Sequence, residues 1–125
     1  TEIKATLAAA RNVKHNKLWL IFQPHTYTRT KALFNEFVDA FTDADVVILT
    51  DIYAAREKDV YNISSYKLVS AMKAKHPDKP VYYVKDFEDI VRYIEKFAGK
   101  DDIVMTMGAG DVYKVGNMLL HKEEQ

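Results

Sequence analysis

Leu18-Trp19-Leu20-Ile21-Phe22-Gln23-Pro24-His25-Thr26-Tyr27-Thr28-Arg29-Thr30 is the stretch whose reading decides the fold of this chain. Its first five residues form a continuous apolar run of strand length, and a run without polar alternation belongs to a strand covered on both faces. A helix-period segment follows a short polar loop. From Thr28 to Thr42, the residues Leu33, Phe34, Phe37, Val38 and Phe41 fall on one helical face. A buried strand feeding directly into an amphipathic helix is the opening of a βαβ unit.

The same alternation continues in both directions. Upstream, residues from Thr1 to about Asn12 predict a helix, with Thr1 as cap, Glu2 in the positive first turn and a run of alanines behind them. Downstream, Val46-Val47-Ile48-Leu49 predicts a second buried strand, and a polar loop runs from Asp51 to about Ile63. Ser64 or Ser65 caps a third helix carrying Leu68, Val69 and Met72, which ends before Pro77. Val81-Tyr82-Tyr83-Val84 is the third strand. Asp86 caps a fourth helix with Phe87, Ile90, Val91, Ile94 and Phe97 inward and Gly99 just past its end. Ile103-Val104-Met105 is the fourth strand, and a last helix covers about Asp111 to Leu120. Strands alternating with helices predict an α/β fold: a Rossmann-like open, mainly parallel sheet with helices on both faces and right-handed crossovers.

Bulk properties narrow the function. The 125 residues suffice for one domain with its own core, and 48% hydrophobic with 29% charged residues is ordinary globular composition. Eighteen basic residues balance eighteen acidic ones, so the basic excess typical of nucleic-acid binders is missing. There is no cysteine, which excludes disulfides and thiolate metal sites and fits a reducing cytoplasm. No apolar run reaches membrane-spanning length and no signal peptide is visible. The first residue is Thr1 rather than methionine, so the chain is expected to be a piece of a longer protein.

Ligands of open α/β sheets bind outside the carboxyl ends of the strands, where strand order reverses. The loop after the first strand, Gln23 to Thr30, leads into a helix N-terminus, an expected anion site to which Arg29 adds a fork of donors. The structural alternative is a capped helix with a solvated arginine and an ordinary loop histidine at His25. After the second strand come Asp51-Ile52-Tyr53-Ala54-Ala55-Arg56-Glu57-Lys58; Asp51 is a candidate to orient Arg29 or Arg56 or to assist a metal-bound nucleotide, or else a turn aspartate. After the fourth strand, Gly108-Ala109-Gly110-Asp111 allows close backbone approach to a ligand or to a neighbouring strand, with Lys114 one turn farther on. A dinucleotide fingerprint would need a third glycine where Tyr113 stands, and no phosphate loop is present. The histidines His15, His25, His76 and His121 lack metal-ligand spacing, so no metal site is expected. Tyr82, Tyr83 and Tyr93 are expected to be packing residues. The usual winding places the first and fourth strands side by side, bringing His25 and Arg29 next to Gly108 and Gly110.

Phe22 to Thr30, Asp51 to Glu57 and Gly108-Ala109-Gly110-Asp111-Val112-Tyr113-Lys114 together resemble the C-terminal domain of the Mur ligase family, in its L-alanine-adding branch. Thr1-Glu2-Ile3 is similar to the sequence just after that family's histidine-rich interdomain motif, and the resemblance runs through the whole chain in order. It implies a three-domain ATP-dependent enzyme of bacterial peptidoglycan precursor synthesis. An N-terminal domain would bind the UDP-sugar and a central ATPase domain would bind ATP and Mg2+; neither lies in this chain. ATP would phosphorylate the carboxylate of UDP-N-acetylmuramate, and the amino group of L-alanine would attack the acyl phosphate. The resemblance further implies that His25 and Arg29 belong to the L-alanine site, with Arg29 on the carboxylate. Asp51, Tyr53, Arg56, Gly108, Gly110, Asp111 and Lys114 would support it or face the closed domain interface, and no catalytic residue is expected in this domain alone. Many members carry arginine where this chain has Thr26. Two other classes compete: a stand-alone Rossmann-type nucleotide-binding module, disfavoured by the glycine pattern, and a signalling receiver with Asp51 as phosphoacceptor. The latter lacks an acidic cluster at Gln23-Pro24-His25.

Overall fold

The computed structural model describes residues 2–12, 16–108 and 110–123. In chain order the elements are α1 (Glu2–Arg11), β1 (Leu18–Gln23), α2 (Tyr27–Ala32), α3 (Phe34–Ala40), β2 (Val46–Leu49), α4 (Ser65–Lys75), β3 (Val81–Tyr83), α5 (Phe87–Phe97), β4 (Ile103–Gly108) and α6 (Tyr113–Glu123). The four strands lie in the order β3-β2-β1-β4, and every pairing is parallel. The chain therefore winds outward from β1 through β2 to β3, then returns across β1 to place β4 on its other side. The reversal falls between β1 and β4, as expected from the usual winding, and Gln23 is in register with Gly108 there.

Strand alternation sorts the core into two layers, since successive side chains leave opposite faces. Leu18, Leu20 and Phe22 of β1 pack with Val47, Leu49 and Val81 against Leu7 of α1, Val38 and Phe41 of α3, and Leu68, Val69 and Met72 of α4. Trp19 and Ile21 pack with Val46 and Ile48 against Ile90, Val91 and Ile94 of α5 and Val112 and Val115 near α6. All six residues of β1 are buried, so the unbroken apolar run has its expected cause. Burying each of its large side chains stabilises the fold by about 1.5–3 kcal/mol. Tyr93 packs edge-on to Trp19 and tilted against Tyr82, the packing role foreseen for these rings.

The structure departs from several of these expectations. The single helix expected from Thr28 to Thr42 is two, broken at Leu33, whose φ of −105° and ψ of 12° leave the helical region. Neither glycine nor proline marks that break. Ser64, not Ser65, caps α4 by accepting from the Lys67 amide, while Ser65 is buried and donates to the Thr50 carbonyl. Asp86 sits at the N-cap of α5 without a side-chain hydrogen bond. The cap expected at Thr1 lies outside the described residues.

The amino end of β1 is fastened by a single carboxylate. Asp102 accepts from the Lys17 amide at 3.0 Å, the Trp19 indole N–H at 3.0 Å and the Gly99 amide at 2.8 Å. Burial pushes its pKa up, but the hydrogen bonds from Gly99, Lys17 and Trp19 and the Lys17 charge outweigh that and hold it below the ordinary value. A depressed folded-state pKa contributes stability that is present above the unfolded value near 4 and is lost as pH falls through the folded value. Asp102→Ala is therefore expected to cost about 2 kcal/mol at pH 7. In thermal melts the gap between wild type and variant should shrink below pH 4; a gap independent of pH would mean that the carboxylate charge is not what fastens β1.

Candidate substrate-binding site

Beyond their last ladder residues, the loops after β1 and β2 remain paired. The Thr26 amide donates to the Tyr53 carbonyl at 2.8 Å, and the Tyr53 amide donates to the Pro24 carbonyl at 2.8 Å. This prolongs the parallel pattern and sets His25 opposite Tyr53. Their rings stack, with centroids 5.9 Å apart and 15° between planes. On the other side of β1, Gly108 has φ +117°, and a Cβ there would lie 2.1 Å from the Gln23 carbonyl oxygen. Gly110 has φ +68°, and a Cβ there would meet the Tyr53 ring at 2.6 Å and Gln23 Oε1 at 2.8 Å. Both glycines are thus required by close approach to β1 and Tyr53, which makes them packing glycines of a tight crossing.

His25 and Arg29 share the wall of an open cavity of about 1220 Å³ with Gln23 and Gly108. Its floor is Phe22 and Met107, and α1 and α3 form the opposite side through residues such as Ile3 and Phe37. The proximity expected of the first and last loops is therefore present. Arg29 is exposed, and no ion pair among the described residues involves it or Arg56. A guanidinium so placed matches a carboxylate or phosphate through two parallel hydrogen bonds.

The helix N-terminus itself is differently arranged from the sequence-based expectation of an open anion site. Glu57 reaches across from the β2 loop, its Oε1 accepting from the Thr28 amide at 3.0 Å and its Oε2 from the Thr28 hydroxyl at 2.8 Å. Thr26 Oγ1 accepts from the Arg29 amide at 3.2 Å. The free donors of the first turn are thus taken by the protein's own oxygens, which leaves the Arg29 guanidinium as the cationic group that this loop presents to the cavity. Thr26, where many relatives are expected to have arginine, turns its side chain inward as this cap and is 9% exposed.

The remaining candidates separate. The Asp51 carboxylate accepts from the Tyr83 hydroxyl rather than orienting Arg29 or Arg56. Burial and that hydrogen bond push the Tyr83 pKa up to about 12. Tyr53 is 41% exposed beside His25. Arg56, Asp111 and Lys114 stand away from the cavity wall; Asp111 and Lys114 pair with each other at 3.5 Å, both about half exposed. No group of three or more His, Cys, Asp or Glu side chains that could hold a metal ion occurs among the described residues. Reasoning from sequence missed Gln23, Thr26 and Glu57 as site residues. Gln23 carried a faint signal as the one polar residue ending an apolar strand. Glu57 carried none, because its partner lies 29 residues away.

An open parallel α/β sheet whose strand order reverses between β1 and β4, with a cavity near the carboxyl ends of those two strands, belongs to the doubly wound class. The model of the family described as "Mur ligase, glutamate ligase domain" matches residues 1–110, and the chain belongs to that family. Curated relatives are UDP-N-acetylmuramate--L-alanine ligases. That of Acetivibrio thermocellus is 54% identical over 125 residues, all of this chain and 26% of the relative. That of Lachnospira eligens is 53% identical over 119 residues, 95% of this chain and 26% of the relative. The Caldanaerobacter subterraneus protein is 48% identical over 124 residues, 99% and 26% respectively. The chain thus spans about a quarter of the length of the curated relatives it matches. A solved Haemophilus ducreyi domain, described as coming from a UDP-N-acetylmuramate:L-alanyl-gamma-D-glutamyl-meso-diaminopimelate ligase, shares the fold. Its TM-score is 0.63 at 22% identity, over 97% of this chain and 80% of that one. No helix among the described residues is long and apolar enough to cross a membrane.

Proposed function

We propose that this chain is the C-terminal, amino-acid-binding domain of an ATP-dependent ligase that joins L-alanine to UDP-N-acetylmuramate in peptidoglycan precursor synthesis, in the bacterial cytoplasm. The observation that carries this reading is identity of 48–54% along essentially the entire chain to proteins of that name. The rest of the polypeptide supplies the UDP-sugar domain and the central ATPase domain. Mg2+ and ATP are held mainly there, since this chain has neither a phosphate loop nor a cluster of metal ligands among its described residues. ATP supplies the activation of the muramyl carboxylate when bound.

This domain supplies placement. Arg29 takes the alanine carboxylate, which points the amino group out of the cavity toward the activated carbonyl. His25, braced flat on Tyr53, walls the space beside it. Fixing an amine in an attacking geometry contributes a large part of a rate enhancement by orientation alone. Covering the cavity on domain closure also keeps water from the activated carboxylate.

The direct check uses full-length protein with UDP-N-acetylmuramate, Mg-ATP and single amino acids. L-Alanine is expected to release ADP and phosphate and yield UDP-N-acetylmuramoyl-L-alanine. Turnover with a different amino acid, and none with L-alanine, would reject the assignment of substrate.

A further inference from the structure

We propose that Glu57 is a positioning residue, whose carboxylate latches the loop after β2 onto the first turn of α2 and so holds His25, Arg29 and Tyr53 in one geometry for the amino-acid substrate. The substrate named here rests on the reading above; the latch itself does not.

The latch joins two segments far apart in sequence. Glu57 uses both carboxylate oxygens on one residue, taking the Thr28 amide and the Thr28 hydroxyl, so the orientation of the group is fixed. Thr28 immediately precedes Arg29. Tyr53, stacked on His25, lies four residues before Glu57. The stretch between them is a turn closed by the Glu57 amide on the Ala54 carbonyl at 2.9 Å, with Ala55 at φ 50° and Arg56 at φ 77°. Two successive left-handed residues that are not glycine persist only where surrounding contacts hold them. This turn carries Glu57 back onto α2. Thr26, at the start of α2, also has a positive φ of 61°. Backbone pairing of Thr26 and Pro24 with Tyr53 holds the inner part of the two loops, and Glu57 holds the outer part. A negative charge also suits the positive end of α2 and the nearby His25. The hydrogen bonds from the Thr28 amide and hydroxyl hold the Glu57 carboxyl below its ordinary range.

The test uses full-length protein and the variants Glu57→Ala, Glu57→Gln and Thr28→Val. Glu57→Ala is expected to raise the KM for L-alanine about fivefold through lost orientation, with the KM values for ATP and UDP-N-acetylmuramate unchanged. Glu57→Gln keeps an oxygen for the Thr28 amide and should recover most of the loss. Combining Glu57→Ala with Thr28→Val should add less than the two single effects together. A readout independent of activity is the Thr28 amide resonance in protein labelled with 15N-threonine. It should move with pH at a midpoint below the usual glutamate value, and it should stand still in Glu57→Gln. An amide that does not titrate in the wild type overturns the latch. A titrating amide with an unchanged alanine KM in Glu57→Ala overturns the positioning role. Should Glu57→Ala fail to fold, Thr28→Val, which removes one of the two bonds, should raise the alanine KM by a smaller factor in the same direction, and an unchanged alanine KM there overturns the proposal too. If the amide titrates but the enzyme uses another amino acid, the ligase reading is what fails, and the same KM split for that amino acid decides the role of Glu57.

Discussion

Replacing Arg29 with alanine in the full-length protein is expected to raise the KM for L-alanine and to lower kcat/KM by roughly 10- to 200-fold, the equivalent of about 1.5–3 kcal/mol for one charge-assisted contact. The size of the effect follows from what else is available in the cavity to hold a carboxylate. The α2 amides are occupied by Glu57 and by Thr26. Lys114 is paired with Asp111 outside the cavity wall. The arginine that many relatives are expected to have at position 26 is a capping threonine here. The other lysine or arginine in this chain's wall is Lys4 on α1, a point charge that cannot reproduce the two-pronged geometry of a guanidinium, so the loss of Arg29 should not be fully masked. Arg29→Lys keeps the charge but loses the two-pronged geometry, so it should fall between wild type and alanine. KM values for ATP and UDP-N-acetylmuramate should stay within a few-fold. Steady-state kinetics with each substrate varied in turn makes the check, and unchanged alanine kinetics in Arg29→Ala would remove the role assigned to this residue.

The sequence was most informative where the physics is local or periodic. Leu18 to Phe22 is buried on both sides because it is the centre of a parallel sheet, and that is legible from its unbroken apolar run. The proximity of His25 to Gly108 followed from winding rules, since a return crossover places β4 beside β1. Contacts between residues distant in sequence, with no periodic signature, were not legible. Nothing in the spacing of Glu57 or Thr28 shows that they meet, and the pairing of Asp51 with Tyr83 depends on the register of β2 against β3. The helix break at Leu33 was equally hidden, because the apolar face from Leu33 to Phe41 continues across it. The role of the glycines was open in the sequence between ligand approach and strand approach. The structure places the Gln23 backbone against Gly108 and the Tyr53 ring against Gly110.

That placement makes Gly108→Ala the most damaging single methyl group in this part of the molecule. The new Cβ would sit 2.1 Å from the Gln23 carbonyl oxygen, a backbone atom that moves only if β1 and β4 separate at their carboxyl ends. Overpacking of this kind costs about 1–3 kcal/mol, and forcing an L residue to φ +117° adds roughly 1–3 kcal/mol more. A loss of about 3 kcal/mol or more is expected, which for a domain of this size lowers Tm by roughly 10 °C. Gly110→Ala differs in kind. Its Cβ meets the Tyr53 ring and Gln23 Oε1, side-chain atoms that can yield, so it should cost less stability but displace Tyr53 from His25 and so disturb amino-acid binding. Gly116→Ala is the control: it lies inside α6 with nothing within 4 Å of the new Cβ, and replacing a helical glycine should stabilise by about 0.5–1 kcal/mol. Thermal or urea unfolding of the three variants ranks them. If Gly108→Ala costs less than about 1 kcal/mol, the far end of β4 does not approach β1 as closely as this register requires, and the shared wall of His25, Arg29 and Gly108 loses its structural basis.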